Sequence, residues 1–165
     1  MPRVLILGGG FGGLAAAKAL RRAPVDVTLI DRTNHYLFQP LLYQVATGVL
    51  SPADIASPTR FLLRGQNNAE VLMAEVTAID LPGRTVRAGT ASVAFDYLIV
   101  ATGSRHSYFG HPEWEQVAPG LKTLEDARRI RHRFLQAFED AEVSTDRDGG
   151  TDATVPLAPM LWIEQ

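Results

Sequence analysis

The sequence predicts an α/β fold: a parallel sheet, interrupted by an inserted antiparallel β-meander and then resumed. Three observations carry this. Apolar runs at 4–7 and 25–30 flank a glycine-rich break and an alanine-rich helical stretch, as suits strands covered on both faces. Between 70 and 95 the chain alternates short strand-like segments with the turn signal Leu81-Pro82-Gly83-Arg84. Residues 97–101 then form another apolar strand, ending in Thr102-Gly103.

Taken in order, 4–7 is the first expected strand, 14–22 the helix and 25–30 the second strand, closed by Asp31. Pro24 helps to end the helix. Strand, glycine turn, helix and strand within about 30 residues make a βαβ unit. From Asn34 to Leu50 the pattern turns irregular and aromatic, with Tyr36, Phe38 and Tyr43 interleaved with Pro40 and Gly48. A helix is expected over 57–63, one strand over 70–80, shorter strands at 85–87 and 92–95, and a buried strand at 97–101. Residues 124–142 carry helical spacing, with Ile130, Phe134, Leu135 and Phe138 to one side. The expected division is a domain over 1–142 and an irregular, disordered or loosely packed tail over 143–165, where Thr, Asp, Gly, Ala and Pro dominate.

Composition narrows the function. A length of 165 residues suits one domain with a real core. A net charge of −2 leaves no basic footprint, so no nucleic-acid partner is expected. The chain has no cysteine, which removes disulfides, thiolate metal sites and redox dithiols. The apolar start is too brief for a signal-peptide core, and no stretch approaches the roughly 20 apolar residues of a membrane span. The expectation is a soluble, cytoplasmic chain. His35, His106, His111 and His132 lack metal-ligand spacing and are expected at the surface or in packing, and Trp114 and Trp162 carry no motif.

Chemistry concentrates in Gly8-Gly9-Gly10-Phe11-Gly12-Gly13, which holds the pattern Gly8-x-Gly10-x-x-Gly13. Gly8 permits the tight turn, Gly10 lets the backbone approach a pyrophosphate, and Gly13 lets helix and strand pack closely. The helix amides and dipole then face the phosphates. Alone the motif is weak; a strand before it, a helix after it and an acid closing the next strand strengthen it. Asp31 follows by about 20 residues, where a carboxylate can accept from ribose hydroxyls. The turn does not say which dinucleotide binds, because NAD and FAD share the ADP half. Two features favour FAD: the aromatic segment after the second strand, and the strand at 96–101 closed by Thr102 and Gly103.

These features resemble the flavoprotein reductases with two dinucleotide domains, and imply a Rossmann-like FAD-binding domain, here incomplete. Within that group the segment 34–48, Asn-His-Tyr-Leu-Phe-Gln-Pro-Leu-Leu-Tyr-Gln-Val-Ala-Thr-Gly, is similar to the signature of the type II NADH dehydrogenases. The likeness spans roughly 3–142. It implies that Gly8, Gly10 and Gly13, with Phe11 and Gly12 between them, and Asp31 with its neighbour Arg32, bind the ADP part of FAD. By the same resemblance Val76 meets the adenine, Ala101, Thr102 and Gly103 form a second FAD contact, and Gln39 and Pro40 lie near the ribityl chain and flavin. Leu37, Phe38, Leu41, Leu42 and Tyr43 read as ordinary core. No catalytic residue and no metal ligand is expected.

The resemblance implies NADH and a quinone as partners of the intact protein, with peripheral membrane contact through a C-terminal part. It also implies a second glycine motif for NADH, a late Gly-Asp contact to the flavin, quinone-site glutamines and membrane-binding helices, none of which occurs in these residues. The tail is therefore expected to be a truncated or frame-shifted end, and the 165 residues alone to be inactive. Two alternatives stay open: another FAD-dependent NAD(P)H reductase of the same fold, and a non-catalytic nucleotide-binding remnant. Disulfide and sulfide:quinone reductases need cysteines that this chain lacks; the match at 38–48 speaks against a ferredoxin- or rubredoxin-type reductase.

Overall fold

The computed structural model describes residues 1–143. The chain starts with β1 (Arg3–Leu7), α1 (Phe11–Ala19), a 3-10 turn (Leu20–Arg22), β2 (Asp26–Asp31) and β3 (His35–Leu37). A second 3-10 turn (Gln39–Leu41), α2 (Leu42–Ala46) and α3 (Pro52–Ile55) follow. Next come β4 (Ala56–Pro58), α4 (Thr59–Leu63), β5 (Ala69–Met73), β6 (Val76–Asp80), β7 (Thr85–Ala88), β8 (Ala91–Ala94) and β9 (Tyr97–Val100). A 3-10 segment (Pro112–Gln116) and the long helix α5 (Leu124–Val143) close the described chain. The described residues divide into two units: 1–37 with 56–104, and 38–55 with 105–143.

The first unit is built on a four-stranded parallel sheet in the order β5-β2-β1-β9. Alternation along the strands sends side chains to two cores. Val4, Ile6, Val27, Leu29 and Val71 pack with Leu14 and Ala17 of α1 and Leu63 of α4. Leu5, Leu7 and Ile30 pack on the other face against Val86 and Ala88 of the meander and Phe95. The meander is the antiparallel sheet β6-β7-β8. Buried on both faces, the central strands read as continuous apolar runs, which is why they are legible in the sequence.

Three expectations shift. The helix starts at Phe11, not Leu14, because the turn out of β1 sets its direction and packing overrides the poor propensity of Gly12 and Gly13. The expected helix over 57–63 is a helix only from Thr59. Residues 56–58 instead pair antiparallel with 35–37, where Pro58, the last strand residue, cannot continue a helix from before it. The single strand expected over 70–80 is two. β5 completes the parallel sheet, Ala74 donates to the Asp31 carbonyl at 2.9 Å, and the chain then crosses to the meander.

In the second unit α2 packs on α5, and Leu42, Val45, Ala46, Ile55, Ala127 and Ile130 are buried. Phe38 and Tyr43, expected as core, are 41% and 51% exposed; α2 turns its opposite side, Leu42 and Val45, inward. His111 stacks on Trp114 at 4.3 Å and meets Glu113 at 3.0 Å. The tail expected to be irregular lies outside the described residues from 144 on, while Val143 still ends α5. No helix among the described residues is long and apolar enough to cross a membrane.

Candidate cofactor-binding site

The sheet order marks a candidate site by topology. From β1 the chain moves to β2 and then β5 on one side, and later adds β9 on the other. The order therefore reverses at β1, and ligands of such sheets bind outside the carboxyl ends of the strands at that reversal. The residues there are Gly8 at the end of β1 and Ala101 at the end of β9. They touch: Gly8 has φ +101° and a Cβ on it would collide with the Ala101 carbonyl. The Ala101 amide donates to Leu7 at 2.8 Å, and Gly8 donates to Ile30 at 2.8 Å. Two of the sequence-predicted segments, far apart in the chain, are thus joined.

Within the turn the glycines have separable reasons. A Cβ on Gly13 would collide with the Gly8 carbonyl, so this glycine lets α1 lie against β1. Gly10 differs. Its φ of −74° suits any residue, it is exposed, and an added Cβ would meet nothing within 4 Å. Nothing inside the fold demands glycine at that position. The backbone there is open to approach from outside the chain. Gly10 also stands at the start of α1, where no side chain caps the helix and no acid occupies the first turn. An anion fits there, since the helix end presents amide dipoles and an open approach.

Asp31 closes β2 beside this turn. Its Oδ2 accepts the Gly9 amide at 2.6 Å; its Oδ1 accepts the Thr33 amide at 2.6 Å and the Thr33 hydroxyl at 2.7 Å. The expected ribose acid is therefore also a brace for the glycine turn. Arg32 beside it is exposed and makes no ion pair or hydrogen bond among the described residues. Phe11 packs edge-to-face on Tyr36 with ring centres 5.4 Å apart. A Cβ added to Gly12 would make only an ordinary contact with Ala101, 3.6 Å from its Cβ.

Val76 opens β6 three residues after Met73, the partner of Asp31 in β5, so it too follows a carboxyl end of the sheet. Thr102 and Gly103 are exposed, and Gly103 needs its φ of +73° rather than any close neighbour. Gln39 and Pro40 start the 3-10 turn of the second unit, half-buried and exposed respectively, and are not gathered with the others in one unit. Sequence reasoning missed Gly9 and Thr33. The Asp-x-Thr spacing was the available signal, since an Asp carboxylate readily takes the amide two residues on.

Known proteins resemble this chain in sequence and in fold. The type II NADH:quinone oxidoreductase NdhA of Mycobacterium tuberculosis is 58% identical over 148 residues, and Ndh of the same organism is 54% identical. In each case the match covers 87% of this chain and 32% of the relative, so the chain spans about a third of their length. Among solved structures, NDH2 from Plasmodium falciparum in complex with NADH matches with a TM-score of 0.80 at 26% identity. That match covers 88% of this chain and 31% of the other. The sulfide:quinone oxidoreductase from Aquifex aeolicus matches with a TM-score of 0.77 at 28% identity, over 85% of this chain and 33% of the other. A family model for pyridine nucleotide-disulphide oxidoreductases matches residues 2–144. With its glycine turn at the sheet reversal and a match over nearly all the described residues, the chain belongs to the pyridine nucleotide-disulphide oxidoreductase family.

Proposed function

We propose that this chain binds FAD, with the ADP half at the carboxyl end of the β1–β9 pair, and forms the FAD-binding portion of a type II NADH:quinone oxidoreductase. The observation that carries the reading is Gly10, a glycine that the fold does not need, at a helix end that no side chain caps. The chain's own residues bind and orient. The start of α1 faces the pyrophosphate, Asp31 takes a ribose hydroxyl, and Ala101 to Gly103 lie beside the turn where the cofactor passes. Val76 and Arg32 are proposed to complete the set. Bound flavin supplies the redox chemistry, accepting reducing equivalents from NADH for delivery to a quinone; no acid or base is asked of these residues.

The names of the two mycobacterial relatives support NADH and a quinone as substrates. The same reading puts the full-length protein in the cytoplasm, against the membrane that dissolves its quinone. A thiol route, as in disulfide reductases, finds no cysteine in these 165 residues. The test is flavin content. Purified chain should carry a flavin absorption band or bind added FAD at one equivalent; a folded protein that takes up no flavin on titration would overturn the reading.

A further inference from the structure

We propose that Thr33 is a positioning residue for nucleotide-sugar recognition. It saturates one oxygen of Asp31 and so leaves a single acceptor site, on Oδ2, to read one ribose hydroxyl, the 2′-OH. This rests on the reading that the glycine turn takes the ADP half of a dinucleotide. A carboxylate offers about four lone-pair sites, two on each oxygen. Oδ1 spends both of its sites on Thr33, one on the amide at 2.6 Å and one on the hydroxyl at 2.7 Å. Oδ2 spends one on the Gly9 amide at 2.6 Å. One site remains.

The hydroxyl has only one hydrogen to give. Its other neighbour, the His35 carbonyl, lies at 3.4 Å, so the shorter, charge-assisted contact to Asp31 holds the proton. The branched Cβ of threonine restricts the side chain to few rotamers, which keeps that hydroxyl in place. Gly9 completes the brace, because a Cβ there would stand 3.3 Å from Oδ2 and crowd the carboxylate. Three donors on two oxygens stop the carboxylate from rotating. Without the Thr33 hydroxyl, Oδ1 keeps only the amide of residue 33 and gains a free site, so either oxygen can meet the sugar and the choice between its two hydroxyls is lost.

The experiment compares ADP with 2′-deoxy-ADP as probes on the flavin-free chain, by calorimetric titration. Wild-type protein should prefer ADP by roughly tenfold, the scale of one hydrogen bond to a charged group. In Thr33→Val, which keeps the amide and the shape, that preference should collapse toward unity and ADP binding weaken about three- to tenfold. Thr33→Ser should restore both. A role in packing alone would lower the melting temperature of Thr33→Val but leave the ratio at its wild-type value, and that result overturns the proposal. So does a wild-type protein that binds both probes equally, in which case the nucleotide site itself stands. Wild-type protein that binds neither ADP nor FAD refutes the site reading instead. Should Thr33→Val not fold, a structure of wild-type chain with ADP decides: contact of the 2′-oxygen with Oδ2 alone supports the proposal, and contact with Oδ1 overturns it.

Discussion

The two ends of the parallel sheet solve the same problem differently. At the amino end, side-chain charges tie the strands. Arg3 of β1 meets Asp96, just before β9, through its amide at 2.7 Å and its guanidinium at 3.3 Å, and the chain's amino group lies 3.7 Å from Asp26 of β2. At the carboxyl end, backbone meets backbone: Gly8 against Ala101, the Ala101 amide on Leu7, the Gly8 amide on Ile30. A single acid, Asp31, braces the turn. Charges tie the first end, whereas glycines let the backbone segments meet at the second. The proposed cofactor site lies at the second end, so substitutions at the two ends should separate stability from affinity.

The largest effect should come from Gly13→Val. Its Cβ would run into the Gly8 carbonyl and stand 3.3 Å from Ile6 Cγ2, so α1 must lift off the core formed with β1. We expect a loss of about 3 kcal/mol or insoluble protein, read from the urea midpoint. Gly10→Val sits three residues away and should behave oppositely. Its side chain meets open space, so stability should fall by only about 1 kcal/mol, the scale of a poorer helix cap. FAD binding should vanish. Flavin that still copurifies with Gly10→Val would show that the open space has no occupant.

Asp31→Ala should do some of both. It removes the partner of the buried Gly9 amide, which costs about 1–3 kcal/mol in stability, and it removes a charge-assisted bond to ribose worth about 1.5–3 kcal/mol of affinity. Thermal melts with and without FAD separate the two losses. Unchanged affinity in a destabilised variant would reduce Asp31 to a brace.

How much of this was legible follows from how local each cause is. The glycine spacing, the strand before it and the acid after it lie within one βαβ unit, and each has its own steric reason, so the turn and Asp31 could be read directly. The split of 70–80 into β5 and β6 could not. Ala74 and Glu75 carry no turn signal, and what bends the chain is the bond from Ala74 to Asp31, a residue more than forty positions away. Pairing of 35–37 with 56–58 was hidden for the same reason. Thr33 was passed over because one polar residue in a loop is ordinary until its hydroxyl is seen 2.7 Å from a carboxylate. Gly10 runs the other way. The motif named it, but only the geometry showed that the fold leaves it free.

The smallest effect should come from the amino end, and it sharpens the contrast by its pH dependence. The Arg3 amide first, and then the Arg3 side chain, hold the Asp96 carboxyl below the ordinary value of 3.8, with a weaker opposing effect of burial. A carboxyl depressed in the folded state adds stability above its unfolded value, and that contribution is lost as pH falls through the folded value. Asp96→Asn can still accept the Arg3 amide but has no charge to lose. Wild-type protein should therefore be slightly more stable than the variant near neutral pH. Its advantage should persist down to the ordinary carboxylate range and fade below it, until the two melting curves meet in acid. Added salt should shrink the neutral-pH gap as well, because Arg3 and Asp96 are exposed to solvent. FAD affinity should not change at any of these pH values, since Asp96 ties the end of the sheet opposite the proposed cofactor site. A variant whose melting tracks wild type across the whole range would show that the pair contributes nothing; one whose FAD binding weakens would show that the two ends are coupled through the strands.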